Sequence, residues 1–224
     1  MEKVEEFTFN GYNVTVIRPE NPNGKWIWKT EFLYAFDQAE RALVEDGYTR
    51  VYYKISDMYG SNRAVRLMHN FYKFIIKEYN LCEKAVLFGF SRGGLYAFNF
   101  AIHYPEYVDK VYLDAPVLDV STWPWDNSPE QKQLFDEYCL NADTLPLFKG
   151  NPVDNLEEFF SYNIPLLLVA GGSDEVVPFE RNSKKVINYC EQKGIRLEYF
   201  VKPDCKHHPH SLEDVTPICE FVKR

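Results

Sequence analysis

The sequence predicts an α/β domain with a mostly parallel, eight-stranded sheet, helices on both faces and a small lid insertion. Three observations predict it. From "YTRVYY" onward, short β-rich runs alternate with helical patterns; the strands are almost continuously apolar; and one long segment breaks the alternation. Apolar strands that alternate with helices are typical of a parallel sheet covered on both sides. We expect residues 1–224 to form a single domain.

Each element has its own local pattern. The predicted strands are the two arms of "EEFTFNGYNVTVIRP", which turn at "NGY", and then "KWIWK", "YTRVYYKISD", "KAVLFGFS", "DKVYLDAP", "IPLLLVAGG" and "IRLEYFVKP". The opening hairpin adds antiparallel strands at one edge of the sheet. The predicted helices are "FLYAFDQAERALVEDG", "SNRAVRLMHNFYKFIIKEYN" with Ser61 as its N-cap, "RGGLYAFNFAIHY", "PFERNSKKVINYCEQKG" and "LEDVTPICEFVKR".

Residues 117–163 interrupt this rhythm. They contain "STWPWDNSP" and "NADTLPLFKGNP", with short helical patterns around "EQKQLFDEYCL" and "NLEEFF". The segment is too long for a simple crossover between two strands. We therefore expect an insertion above the sheet that acts as a lid or substrate-binding cap.

Composition excludes several classes of partner. The net charge of −8 argues against nucleic acid and against anionic membrane surfaces as partners. We do not expect the acidic start "MEKVEEFTFNGY" to be a signal peptide, and no apolar run approaches the roughly 20 residues that span a bilayer. Five scattered cysteines without a CxxC pair favour free thiols. These features together predict a cytoplasmic protein.

The stretch "LFGFSRGGLYAF" places Ser91 between Gly89 and Gly93, where an apolar strand gives way to a helix. A nucleophilic serine on such a sharp turn needs small neighbours, because strand and helix approach closely there. The helix that starts near Arg92 also directs backbone N–H groups at the same spot. The alternative is an ordinary turn serine before a helix. A dinucleotide loop is excluded, because its fingerprint requires glycine where Ser91 stands.

Serine needs a base and an orienting carboxylate to act as a nucleophile. Asp174 follows the strand "LLLVAGG", and His207 follows the strand "EYFVKP". The carboxyl ends of parallel strands meet at one edge of a sheet, so we expect Ser91, Asp174 and His207 to converge there. Their order along the chain, Ser–Asp–His, is the order of α/β-hydrolases.

Each partner of Ser91 has competitors in the sequence. Glu175 directly follows Asp174, and Asp114 lies at the end of the strand "VYLD". We treat Asp114 as a second position for the acid or as a buried turn carboxylate. His208 is the alternative to His207 as the base and a further candidate for substrate contact.

The motifs "GFSRGG", "GGSDEVVP" and "KHHPHSL" resemble the nucleophile turn, acid turn and histidine loop of the α/β-hydrolase fold family. The extra glycine after the elbow is similar to that of prolyl-oligopeptidase-like and esterase branches. The stretches "KWIWKTEF", "SDMYGS", "YLDAPVLD" and "HHPHSL" further resemble a bacterial subgroup of uncharacterised hydrolases and carbohydrate-esterase-like proteins. This resemblance implies an eight-stranded hydrolase fold over nearly the whole chain.

The same resemblance implies an oxyanion hole, in which backbone N–H groups hold the negative oxygen of the reaction intermediate. Its first donor is the N–H of Arg92, the residue after the nucleophile. The usual HG or HGGG is replaced by "KTEF" after the third strand. The second donor is therefore expected near Thr30 or Glu31.

Four further residues are candidates for substrate contact. Asp57 and Tyr59 in "SDMYGS" follow a strand at the active edge and would form either a polar wall or a simple helix-entry turn. Trp123 and Trp125 in the lid would either stack on a sugar ring or an aromatic acyl group, or only pack within the lid.

No metal site and no cofactor are expected. His207, His208 and His210 lie close together in sequence, but Pro209 interrupts their spacing and no acidic ligand stands at a helical interval. The predicted function is a serine hydrolase that cleaves carboxylic esters through an acyl-enzyme. Its expected substrate is a small-molecule ester with a small or aromatic acyl group, with acylated carbohydrates among the candidates. The alternatives are a small peptidase of the prolyl-oligopeptidase type and a non-catalytic ligand-binding homologue; the oligomeric state stays open.

Overall fold

The computed structural model describes residues 2–224 and contains the eight strands that the sequence predicts. They lie in the order β1-β2-β4-β3-β5-β6-β7-β8, in which β2 pairs antiparallel with β1 and β4, and every other pairing is parallel. The predicted mostly parallel sheet with an antiparallel edge is therefore confirmed. The strands are β1 (Lys3–Phe9), β2 (Tyr12–Arg18), β3 (Trp26–Lys29), β4 (Thr49–Tyr53), β5 (Ala85–Phe90), β6 (Val108–Asp114), β7 (Leu166–Gly171) and β8 (Glu198–Lys202).

Seven α-helices lie among the described residues, and six of them cover the two faces of this sheet. They are α1 (Gln38–Glu45), α2 (Asn62–Glu78), α3 (Gly93–His103), α4 (Pro129–Tyr138), α5 (Leu156–Ser161), α6 (Ser183–Lys193) and α7 (Thr216–Lys223). Helices α1 and α7 share one core with the sheet, and α2, α3, α5 and α6 share the core on the opposite face. The central strands are buried on both sides, which explains their nearly continuous apolar sequence.

Several helix boundaries differ from the predicted ones. Helix α1 begins at Gln38 and not at Phe32, because Phe32 and Phe36 adopt left-handed backbone angles with φ of 56° and 49°. The stretch "PFERNSKK" is a short 3-10 helix and then α6, separated by Asn182. The predicted N-cap is confirmed, since the side chain of Ser61 accepts a hydrogen bond from the Ala64 N–H.

The insertion between β6 and β7 divides into a lid and a core helix. The two ends of the lid are joined by a hydrogen bond from the Val120 N–H to Asn151 Oδ1 at 2.9 Å, and we call this point the neck. Residues 121–150, between these ends, form the lid. Residues beyond the neck belong to the core: the Phe159 ring in α5 stacks on Phe98 of α3, with their ring centroids 4.5 Å apart. The lid is thus shorter than the predicted range of 117–163.

The strand register places the site. Phe90 at the end of β5 pairs with Asp114 of β6, and Asp114 pairs with Val169 of β7. The chain segments that follow these strands therefore leave the sheet side by side at its carboxyl edge, where ligands bind in open parallel sheets. Within residues 2–224, no helix is long and apolar enough to cross a membrane.

Candidate active site

Ser91 occupies the turn between β5 and α3 in a left-handed conformation, with φ of 49°. This conformation costs a residue other than glycine roughly 1–2 kcal/mol. The surrounding hydrogen bonds hold it in place: the Ser91 N–H donates to the Asp114 carbonyl, and the Ser91 carbonyl accepts from Gly94 and Val117, each at 2.9 Å. The hydroxyl is therefore fixed at the carboxyl edge of the sheet before any ligand arrives.

The glycines on both sides of Ser91 allow the turn to close. A Cβ on Gly89 would lie 2.9 Å from the Ala97 Cβ in α3, and one on Gly93 would lie 2.9 Å from Thr30 Oγ1. A Cβ atom essentially never approaches another atom this closely, so any side chain at either position would push the strand and the helix apart. The structure therefore gives the reason for both glycines that the sequence argument assumed.

The structure brings Ser91, His207 and Asp174 into one chain of hydrogen bonds. Ser91 Oγ lies 3.0 Å from His207 Nε2, and His207 Nδ1 lies 2.7 Å from Asp174 Oδ2. All three residues are buried, with 6–8% of their surfaces exposed. The predicted convergence of three strand ends is thus present in the geometry. A hydroxyl, a base and an orienting carboxylate in this arrangement can activate the hydroxyl as a nucleophile.

The turn after β7 selects Asp174 over Glu175. Asp174 Oδ1 accepts the backbone N–H groups of Val176 and Val177 at 3.0 and 2.9 Å, which leaves Oδ2 free to accept from the histidine. The side chain of Glu175 is exposed to solvent. Only the first of the two acids therefore faces His207.

The acid turn and the histidine loop, residues 203–211, are also joined through their backbones. The Ser173 N–H donates to the Cys205 carbonyl at 3.0 Å. A Cβ on Gly171 would lie only 2.1 Å from the carbonyl oxygen of Lys206, so only glycine permits this approach. This close contact sets the distance between Asp174 and His207.

A second buried carboxylate–histidine pair lies beside the first, and the sequence argument missed it. Asp114 accepts hydrogen bonds from His210 Nδ1, the Ser211 N–H and the Tyr112 hydroxyl, each at 2.7 Å. The ring of His210 lies 5.0 Å from that of His207. The only sequence signals were the position of Asp114 at a strand end and the third histidine of "HHPH". Asp114 is thus the buried carboxylate that the sequence allowed, with the added role of anchoring the histidine loop.

His208 is exposed, whereas His207 and His210 are buried. Its ring stacks on Phe36 with 5.8 Å between the ring centroids. Burial of part of the ring lowers its pKa below the ordinary value, and positive charge on His210 or His207 would lower it further. Among the described residues, His207 is the histidine within hydrogen-bonding distance of Ser91. The geometry therefore favours His207 as the base.

Three histidine rings nevertheless meet at this point. A ring nitrogen from each of His207, His208 and His210 lies within 4.8 Å of the other two. The sequence argument against a metal site considered only the linear spacing around Pro209. The folded loop brings the three rings together despite that residue.

Two backbone N–H groups at the Ser91 turn are candidates for the oxyanion hole. Within residues 2–224, neither the Arg92 N–H nor the Glu31 N–H donates to a protein acceptor. The nitrogen of Glu31 lies 3.4 Å from the position that a Cβ on Gly93 would take. Thr30 is wrong as an oxyanion donor, because its N–H donates to the Phe88 carbonyl at 3.0 Å as part of the sheet. Arg92 and Glu31 are thus the available pair of donors.

The side chains of these two residues pair with each other. Arg92 Nη2 lies 3.3 Å from Glu31 Oε2, and the guanidinium stands 5.3 Å from the ring centroid of Phe32. Burial raises the pKa of the Glu31 carboxyl, and the neighbouring Arg92 guanidinium opposes that rise. The Arg92 side chain is thus paired with the loop between β3 and α1.

The residues of "SDMYGS" have opposite environments. Asp57 is exposed in a 3-10 helix that covers Ser56–Met58. Tyr59 is completely buried, and its hydroxyl donates to Gln133 Oε1 in the lid at 2.7 Å. Tyr59 is therefore wrong as an exposed substrate wall. Its left-handed backbone, with φ of 48°, turns the ring inward under the lid.

The two lid tryptophans also differ. The half-buried ring of Trp123 packs on Tyr59, with their ring centroids 6.0 Å apart. Trp125 is 65% exposed. Phe32 and Tyr34, which the sequence argument did not single out, are further exposed aromatics in the loop after β3, at 38% and 62% exposed. Trp125 is thus the lid ring that remains free to meet a ligand.

Comparison with known proteins identifies the family and the fold of this chain. A family model described as the prolyl oligopeptidase family matches residues 45–224. Among solved structures, the fluorophosphonate-binding serine hydrolase F of Staphylococcus aureus aligns with a TM-score of 0.71 and 14% identity over 100% of this chain and 95% of its own. The sheet order and this similarity confirm the predicted α/β-hydrolase fold. A search of curated proteins gave no match.

Two larger peptidases share the fold. A candidate dipeptidyl aminopeptidase IV from Bacteroides ovatus aligns with a TM-score of 0.73 and 14% identity, over 100% of this chain and 35% of its own. A puromycin-hydrolysing peptidase of Mycobacterium tuberculosis aligns with a TM-score of 0.68 and 12% identity, over 92% and 36%. The chain thus spans about a third of the length of each peptidase.

The hydrogen bonds around Asp114 generate a stability prediction. In Asp114→Asn, one carboxylate oxygen is replaced by an amide NH₂ group. That group is itself a donor and cannot accept a hydrogen bond from the donors that surround Asp114 in the wild-type protein. We expect the free energy of unfolding to fall by about 2 kcal/mol, measured by urea denaturation. The exposed Asp57→Asn is the matched control and should change it by less than about 0.5 kcal/mol. Equal stabilities for both variants would contradict the role of Asp114 as an anchor.

Proposed function

The chain belongs to the prolyl oligopeptidase family of serine hydrolases, and on that premise we propose that it hydrolyses carboxylic esters through Ser91, His207 and Asp174. The observation that carries the proposal is the unbroken chain of hydrogen bonds from Ser91 Oγ to Asp174 Oδ2. A serine with such a neighbour pair has both a proton acceptor and a group that fixes the correct histidine tautomer.

In the first half-reaction, Ser91 Oγ attacks the ester carbonyl carbon while His207 Nε2 accepts the hydroxyl proton. Asp174 holds the Nδ1–H and stabilises the imidazolium. The Arg92 and Glu31 N–H groups donate to the oxyanion, and loss of one such donor typically slows turnover about 100- to 1000-fold. As the tetrahedral intermediate collapses, His207 returns the proton to the leaving alcohol, and the acyl group remains on Ser91.

In the second half-reaction, water takes the place of the alcohol. His207 Nε2 accepts a proton from the water as its oxygen attacks the acyl carbon. The same two N–H groups stabilise the second oxyanion. The intermediate releases the carboxylic acid, and the proton returns from His207 to Ser91 Oγ. No cofactor is needed for either step.

The ester assignment is supported by the small size of the lid, since only about 30 residues, 121–150, stand above the sheet. This chain also covers 95% of the Staphylococcus aureus protein, whose name describes a fluorophosphonate-binding serine hydrolase. Exposed Trp125, Phe32 and Tyr34 offer rings on which an aromatic acyl group or a sugar would stack. Asp57 and His208 are the exposed polar groups proposed for substrate contact.

A peptidase is the second candidate function. Two of the structural neighbours are described as peptidases, and the family name is that of a peptidase family. The chemistry is the same until the leaving group departs, when His207 would protonate an amine instead of an alcohol. This chain spans only about a third of each peptidase, so peptide binding by this chain is a hypothesis.

Kinetics on matched substrates test both candidates. We expect wild-type protein to hydrolyse p-nitrophenyl acetate, butyrate or acetylated sugars, and to leave aminoacyl-anilides intact. Ser91→Ala should lower kcat/KM for the esters by about 10⁴- to 10⁶-fold, because the members of such a triad act as a unit. His207→Ala should be equally damaging.

The matched control is Ser173→Ala, which removes an exposed hydroxyl beside Asp174 that donates to the Pro203 carbonyl. It should retain ester turnover within a few-fold of wild type. Faster turnover of the anilides than of the esters would favour the peptidase. Full activity in Ser91→Ala would refute the proposed nucleophile.

The lid tryptophans yield a separate prediction. Trp125→Ala removes an exposed ring and should raise KM for a bulky aromatic ester while kcat holds, because such contacts stabilise ground and transition states alike. The KM for p-nitrophenyl acetate should not change. Trp123→Ala removes packing on Tyr59 and should instead lower the free energy of unfolding by about 1–2 kcal/mol. Unchanged KM values in Trp125→Ala would assign that ring no part in substrate binding.

A further inference from the structure

We propose that His207, His208 and His210 form a binding site for a borderline transition-metal ion such as Zn²⁺, and that the bound ion switches the hydrolase off. A ring nitrogen of each histidine lies within 4.8 Å of the other two. The ring centroids are 4.8 to 5.0 Å apart, and the rings are steeply inclined to one another. Three imidazoles grouped around one point are a ligand set that zinc and copper accept.

Two of the three rings are oriented by buried carboxylates. His207 Nδ1 bonds to Asp174 and His210 Nδ1 bonds to Asp114, both at 2.7 Å. In metal sites, a ligating histidine usually donates its second ring N–H to a carboxylate, which fixes the ring and increases its basicity. This arrangement exists here twice, which leaves the Nε2 atoms of both residues as the available metal ligands.

The third ring gives access from solvent. His208 is exposed and its ring stacks on Phe36, and no hydrogen bond to that ring is present within residues 2–224, so it can turn toward an arriving ion. Tetrahedral zinc with Zn–N bonds of about 2.1 Å places its ligand nitrogens about 3.4 Å apart. Because the ring nitrogens lie up to 4.8 Å apart, they must close by up to about 1.4 Å, a movement that the exposed ring of His208 can supply. The neutral imidazole set favours Zn²⁺ or Cu²⁺ over Mg²⁺, which prefers oxygen ligands.

Metal binding and catalysis compete for the same atom. His207 Nε2 lies 3.0 Å from Ser91 Oγ, and it is the nitrogen proposed to accept the serine proton. An ion on Nε2 occupies that lone pair, so His207 can no longer serve as a base. The inhibitory effect rests on the proposed function, whereas the binding site itself does not.

A nearby thiol is the competing explanation for any metal sensitivity. Cys205 is partly exposed in the same loop, and its thiol donates to the His208 carbonyl at 3.5 Å. Thiolates also bind zinc. The test must therefore separate the histidine cluster from this cysteine.

Direct binding is measured in the Ser91→Ala background, where no activity is required. Equilibrium dialysis with ⁶⁵Zn²⁺ should show one ion per chain, bound more tightly than in wild type because the serine hydroxyl no longer competes for Nε2. Adding His208→Ala should weaken binding at least tenfold. Adding Cys205→Ser, or His103→Ala on the exposed end of α3, should not weaken it. Circular dichroism checks that each variant is folded.

The kinetic arm uses wild-type protein. Zn²⁺ should inhibit ester turnover over the same concentration range in which it binds, Mg²⁺ should not, and EDTA should restore the rate. Absence of binding in Ser91→Ala, or loss of binding in the cysteine variant with full binding in His208→Ala, would overturn the metal site. Binding without inhibition would overturn the switch. Failure of metal-free protein to turn over any ester would count against the proposed function, while dialysis would still decide the metal site.

Discussion

The loop that carries His207 is held to the sheet by two buried carboxylates, and the candidate site depends on this double attachment. Asp174 accepts from His207 and Asp114 accepts from His210, three residues further along the loop, both at 2.7 Å. A carboxylate in a buried position must be satisfied by hydrogen bonds, so each acid fixes its partner strongly. Because the two histidines also touch, the position of one ring constrains the other.

The parallel sheet supplies the two carboxylates. Each follows or ends a neighbouring strand, β6 or β7, and the serine follows the adjacent strand β5. The close approach at Gly171 and the left-handed turn at Ser91 then determine the final distances between the serine, the histidine and the acid. A rigid core on both faces of the sheet fixes the positions of these turns, so the hydrogen-bond geometry exists without a ligand.

Sequence reasoning predicted the fold and brought Ser91, Asp174 and His207 together, because strand ends in a parallel sheet are few and ordered. It could not orient individual side chains in turns. Tyr59 faces inward because its backbone is left-handed, and no local sequence pattern encodes that conformation. Whether a backbone N–H is free depends on strand pairing, which removes Thr30 and leaves Glu31. The link from Asp114 to His210 spans 96 residues and has no local signal at all.

The central claim is that Ser91 is the nucleophile and that His207 makes it reactive. Reaction with a fluorophosphonate, followed by mass spectrometry of proteolytic peptides, tests this claim without any assumption about the substrate. The account predicts a single phosphonyl adduct on Ser91 in wild-type protein and none in His207→Ala, because an unactivated serine hydroxyl reacts too slowly. An adduct on another residue, or equal labelling of Ser91 with and without His207, would contradict it.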